Sequence, residues 1–126
     1  MPLSVTDGGN SQKSFERVTL PVAQKKGIGV IAMKTLGAGA ILQKKAASVN
    51  ECLSYVWTLP VSTAILGCDQ MDHIANDAQL ARTAKPLSTA AMDRLRRRFA
   101  NIELAALEPW KAGRIAADDP GGYRAD

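Results

Sequence analysis

The sequence is poor in the residues that hold metals. It has one histidine, His73, and two cysteines, Cys52 and Cys68, which sit in separate apolar segments. That set does not supply four tetrahedral zinc ligands. There is no CxxC pair, so a redox or metal motif of that kind is excluded, and reduced thiols in the cytoplasm are the expectation. No apolar run reaches the roughly eighteen residues that a membrane span needs. The opening stretch "MPLSVTDGGNSQKSF" has no basic segment followed by an apolar one, so no secretory signal is expected. Neither GxGxxG nor GK[ST] occurs.

What is present is enough for one domain, or a piece of a larger one: 126 residues, 46% of them hydrophobic, with a net charge of +4. Such a length can bury a core if its elements close on themselves. Residues 1–14 are rich in turn formers around "TDGGNSQKS", with room for a short strand at 3–5. "FERVTLPVAQKK", 15–26, reads as a helix stopped by Gly27, with Lys25 and Lys26 suited to its C-terminal dipole end. "IGVIAM", 28–33, and "VSTAIL", 61–66, are short continuous apolar runs of the kind found in strands buried on both faces. Between them, "SVNE" at 48–51 fits a capping box, and Val49, Cys52, Leu53 and Val56 share a helical face that Pro60 ends.

After the second run, "GCDQ" leads to a helix with Met71, Ile74, Ala78 and Ala81 on one stripe. Ser88 then caps a last helix carrying Met92, Leu95, Phe99 and Ile102 at spacings that keep them on one side. Strand, helix, strand, helix predicts parallel β/α units. The tail from Gly113 is rich in Gly, Pro and Asp and is expected to fray.

In β/α architectures ligands sit beyond the C-terminal strand ends. The segments there are "KTLGAG" and "GCDQ". Gly37 and Gly39 would let backbone N–H groups approach a phosphate, with Lys34 as a point charge. Gly67 to Gln70 enter a helix N-terminus, where an anion is favoured. A plain glycine turn is the competing reading, and the Asp69 carboxylate opposes a phosphate unless it caps the helix. His73 is a candidate base or an ordinary polar helix residue. Cys68 is a candidate low-pKa thiol or a packing residue. The cluster "RLRRR", 94–98, is either a nucleic-acid contact or a solvated face whose stems lie over the core. Leu95 and Phe99 interrupt it, which favours the solvated face.

These segments also carry a resemblance. "LPVAQKKGIGVIAMKTLGAG", 20–39, resembles the seventh-strand segment of aldo/keto reductases, bacterial branch. "LSYVWTLPVSTAILGCDQMDHIANDAQLA", 53–81, is similar to the family's eighth-strand segment. "KPLS" and "LEPWK" match its C-terminal pattern, and "LSVTD" with "SFE" resembles its sixth strand and following helix. The resemblance spans about residues 3–111. It implies an α/β fold: a partial (β/α)8 TIM barrel made of the last three β/α units plus a C-terminal helix, over residues 1–112, with 113–126 as a flexible tail. A full barrel takes about 250 residues.

It also implies a nicotinamide dinucleotide, NADP or NAD, as cofactor. Carried over, Lys34, Leu36, Gly37 and Gly39 would follow the pyrophosphate. Gly67, Cys68 and Asp69 would begin the adenosine-phosphate loop, and His73, Asn76 and Asp77 would occupy its helical positions. His73 stands where strong 2′-phosphate binders have a basic residue, and Asn76-Asp77 where they have Glu-Asn, which leaves NADP over NAD open. No position matches the family's catalytic Asp, Tyr, Lys and His. The expectation is therefore a cofactor-phosphate cradle of an NAD(P)H-dependent carbonyl reductase without the catalytic residues, completed by an N-terminal barrel half or by self-association. The alternative is a non-catalytic, self-associating structural module. Nucleic acid is placed last among partners, and no membrane is expected.

Overall fold

The computed structural model describes residues 1–10, 14–102 and 107–112. The expected tail, 113–126, lies outside them. Among the described residues the elements run α1 (Val5–Gly9), α2 (Phe15–Lys25), β1 (Ile31–Ala32), a single 3-10 turn (Gly37–Gly39), α3 (Ala40–Gln43), α4 (Val49–Thr58), β2 (Thr63–Ala64), α5 (Met71–Thr83), α6 (Thr89–Phe99) and α7 (Pro109–Ala112).

The helix boundaries follow from local chemistry. Ser14, Ser48 and Ser88 each accept a backbone N–H from the first turn of α2, α4 and α6, satisfying donors that a helix start leaves orphaned. At Ser48 the capping box is complete, because Glu51 also accepts the Ser48 N–H at 2.9 Å. Leu59 ends α4 just before Pro60, and Gly27 takes φ +65° after α2. Val5, expected at the end of a short strand, and residues 6–9, expected as turn, form α1 instead: the Ser4 hydroxyl caps it by accepting the Asp7 N–H at 3.1 Å.

A partial (β/α)8 barrel is not what the chain forms. Its β structure, among the described residues, is one parallel pair of two-residue strands with Ile31 opposite Thr63 and Ala32 opposite Ala64, plus a bridge from Pro2 to Met33. The rest is mostly helical. The runs 28–33 and 61–66 were expected to be buried on both faces. Instead Val30 and Ala32 are buried and Val61 and Ala64 partly covered on one side, while Ile31 and Ile65 are 50% and 55% exposed. With so few paired residues and one face open, these runs do not make the layered sheet interior that a barrel requires. Apolar content alone misled here, because it cannot tell a strand covered twice from one covered once.

The core lies between α1, α2, α4, α6 and the inner side of the small sheet. Leu3, Val5, Leu20, Ile41, Tyr55, Val56, Leu95, Phe99 and Leu107 belong to it. The α6 stripe is as expected, with Met92, Leu95 and Phe99 buried and Ile102 partly covered. The α5 stripe is not: the helix has no buried residue, and Met71 is 80% exposed. Gly8 explains how α1 comes so close to α4. A Cβ there would lie 1.9 Å from the Tyr55 hydroxyl oxygen.

Candidate functional site

The chain leaving β1 makes an unusual turn. Lys34, Gly37, Ala38 and Gly39 all adopt positive φ, at 58°, 60°, 53° and 89°. For the non-glycine residues Lys34 and Ala38 this costs on the order of 1–3 kcal/mol each, and such strain concentrates at functional sites. The chain leaving β2 passes through Gly67, Cys68 and Asp69 into α5. Parallel pairing of β1 with β2 sets these two exits side by side, and together they line one cavity of about 640 Å³. Lys34, Leu36 and Gly39 line it from the first loop, and Gly67, Cys68, Asp69 and His73 from the second. Met33, Leu42 and Ile65 add apolar wall.

Three of the expected cofactor residues fall elsewhere. Gly37 is buried beneath the turn, where a Cβ would sit 2.9 Å from Ile41 Cγ1 and 3.3 Å from the Leu107 carbonyl oxygen. Asn76 is exposed on α5. Asp77 lines a separate cavity of about 430 Å³ with Trp57 and Thr63, and accepts the Cys68 S–H at 3.8 Å.

The glycines also serve a different purpose from the one expected. The N–H of Gly37 donates to Lys34 O at 2.8 Å and that of Gly39 to Leu36 O at 3.0 Å. Their donors close the turn and do not face a ligand. What the turn gains from glycine is positive φ and, at Gly37, close packing.

Charge in the cavity comes from side chains. The Lys34 ammonium lies 5.6 Å from the centroid of the Trp110 ring, a cation–π pairing. His73 Nδ1 lies 2.8 Å from Asp69 Oδ1, so Asp69 engages the histidine one turn on and does not cap α5. Gln70, at the N-cap of α5, makes no side-chain cap bond. The first N–H groups of that helix are therefore without a side-chain cap beside the cavity. Cys68 is not an activated thiol: the partial desolvation of its position and the carboxylates of Asp77 and Asp69 push it up from its ordinary value. Cys52 is inert too, pushed up to about 12 by burial and by Glu51.

Two polar clusters lie away from the cavity, the first partly buried and the second buried. In the first, the Tyr55 hydroxyl donates to Glu16 Oε2 at 2.6 Å. Arg96 donates to Glu16 Oε1 at 2.6 Å, to the Tyr55 oxygen at 3.0 Å and to Asp93 at 2.9 Å. Burial and the adjacent Glu16 carboxylate push the Tyr55 phenol well above its usual range. Arg98 binds Glu51 at 2.9 Å and the Ala46 carbonyl at 3.2 Å. Of the cluster, Arg94, Arg97 and Arg98 are exposed, as a solvated face would be, and only Arg96 is partly buried in an internal pair.

In the second cluster, Asp7 is fully buried at the start of α2. It accepts the N–H groups of Phe15 at 2.9 Å and Glu16 at 2.8 Å and the Ser14 hydroxyl at 3.1 Å. Lys111 donates to Asp7 Oδ1, and to Glu108 Oε2 at 2.6 Å. Burial raises the Glu108 carboxyl above its ordinary value, with Lys111 opposing the shift.

Neither Asp7 nor Trp110 was singled out from sequence as a site residue, and nothing local marks them. Their partners are distant in the chain, and only closure of the C-terminal segment onto α1 and the β1 loop brings them together. Among the described residues no helix is long and apolar enough to cross a membrane, and no cluster of three or more His, Cys, Asp or Glu could hold a metal. No protein-family model, curated protein or solved structure matches the chain.

Proposed function

We propose that the chain binds a phosphate-bearing dinucleotide, NADP or NAD, in the cavity between the two post-strand loops, and serves as the cofactor-phosphate cradle of an aldo/keto-reductase type of carbonyl reduction in the cytoplasm. One observation carries the reading. Two loops far apart in sequence, each resembling a phosphate loop of those reductases, line one cavity of about 640 Å³ with Lys34 at its wall. The strained Lys34 backbone and the α5 start that Gln70 leaves uncapped are consistent with an anion there. Asp69 works against it, its carboxylate lying 2.8 Å from His73 Nδ1. The reading assigns this chain no catalytic acid, since Tyr55, on α4, is buried and held by Glu16 and Arg96.

Titration of the chain with NADP⁺, followed by amide NMR, tests the proposal. Shifts should centre on residues 33–39 and 67–73 and weaken with salt, since exposed charges are screened beyond ~8–10 Å at physiological ionic strength. Lys34→Ala should weaken binding about tenfold or more, the loss of a hydrogen bond to a charged group being worth ~1.5–3 kcal/mol. Shifts confined to α6 and indifferent to Lys34→Ala would transfer the site to the arginines. A second reading, a self-associating structural module, is favoured by the open apolar face of Ile31 and Ile65.

A further inference from the structure

The segment Leu107–Lys111 reaches three places at once. Leu107 is fully buried, and its carbonyl oxygen lies against Gly37 under the β1 turn. Glu108 and Lys111, 0% and 6% exposed, join Ser4 and Asp7 in the buried cluster at the start of α2. Between these anchors Trp110 presents its ring to the Lys34 ammonium, 5.6 Å from the centroid. The indole Nε1 is buried with no partner among the described residues, so no hydrogen bond seen there explains where the ring sits. Anchors on both sides fix Trp110, and Trp110 in turn confines a long side chain that would otherwise sample many rotamers in solvent.

We propose that Trp110 is a positioning residue for Lys34, and that Leu107–Lys111 is a strap, latched by Lys111 on Asp7, that holds the lysine ammonium at the cavity wall for a ligand phosphate. The inference rests on the phosphate reading above and adds to it a residue that touches no ligand. A cation held over an aromatic face keeps its N–H donors on the far side free to meet an anion. The ring thereby orders the charge without neutralising it, as a carboxylate would.

The test has one arm without ligand and one with inorganic pyrophosphate. In the free protein, the Lys34 Cε protons should show an upfield ring-current shift by NMR. Trp110→Leu should abolish it and Trp110→Phe should retain part of it. With pyrophosphate, Trp110→Leu should weaken binding ~2–5-fold, the range that an exposed cation–π contact of about 0.5–1 kcal/mol allows. Trp110→Phe should recover part of the loss. In a Lys34→Ala background the same Trp110→Leu change should have no further effect.

Absence of the ring-current shift in wild type would overturn the pairing itself. Equal weakening by Trp110→Leu with and without Lys34 would overturn positioning and mark a general structural effect. A wild type that shows the shift but binds no pyrophosphate would defeat the phosphate reading, and the positioning role with it, while leaving the contact real.

Discussion

At the residue scale the decisive group is Asp7. It is fully buried, yet one carboxylate serves two backbone N–H groups, the Ser14 hydroxyl and the Lys111 ammonium. Removing it would strip two α2 N–H groups and the Ser14 hydroxyl of their acceptor, each unsatisfied buried donor costing ~1–3 kcal/mol, and leave Lys111 with Glu108 as its one carboxylate. Asp7→Ala is expected to cost ~3–5 kcal/mol in urea unfolding. Asp7→Asn should cost less, because its amide oxygen still accepts the α2 N–H groups. Equal, small losses for both would mean that Glu108 or solvent suffices for Lys111 and that the Asp7 acceptors are dispensable. "TDGG" reads as a turn from composition, and nothing in those four residues announces the lysine that meets Asp7. The glycines were legible as special, but their role was not. Gly37 is needed for its φ of +60° and its contact with Ile41, facts that belong to the folded loop.

At the element scale, α5 and α6 carry similar apolar stripes and have opposite fates. Leu95 of α6 is 6% exposed and Ile74 of α5 is 52% exposed. Leu95→Ala should therefore cost about 2–5 kcal/mol, whereas Ile74→Ala should stay within about 0.5 kcal/mol of wild type. Thermal melts of the two variants check this. A large loss at Ile74 would show that α5 is packed in solution. The start of α4 supplies a pH signature. Glu51 is held below its ordinary value, first by the Ser48 N–H and then by Arg98, against partial desolvation. Its folded value is depressed, so its contribution is present above about pH 4.5 and lost as pH falls through the folded value. Glu51→Gln keeps the capping bond but not the charge. It should cost ~0.3–1 kcal/mol at pH 7, and the difference from wild type should vanish in acid denaturation curves at low pH.

At the scale of the whole molecule the outer face of the small sheet stands open. Ile31, Met33 and Ile65 share it at 50%, 39% and 55% exposure, and contiguous apolar surface of that kind favours association. The chain is expected to self-associate at micromolar concentration in sedimentation velocity runs. The pair of substitutions Ile31→Lys and Ile65→Lys should return it to monomer while leaving its melting temperature nearly unchanged. A wild-type monomer would mean that this face is tolerated in water without a partner.

Sequence by itself determined what depends on a few neighbouring residues. The caps at Ser48 and Ser88, the Ser48–Glu51 box, the stop at Pro60 and the inward stripe of α6 were all legible, because each is settled within one or two helical turns. The two post-strand loops were legible as a candidate site for the same reason, since glycine, lysine and a helix start are local signals. Only the tertiary structure decided how many faces each apolar run would cover. Two short parallel strands with one open side stand where a barrel segment was expected, because burial depends on which elements arrive from elsewhere in the chain. It also decided that the C-terminal segment closes over the β1 turn, setting Trp110 beneath Lys34 and Lys111 against Asp7. Contacts between opposite ends of a chain leave no periodicity for a sequence to display.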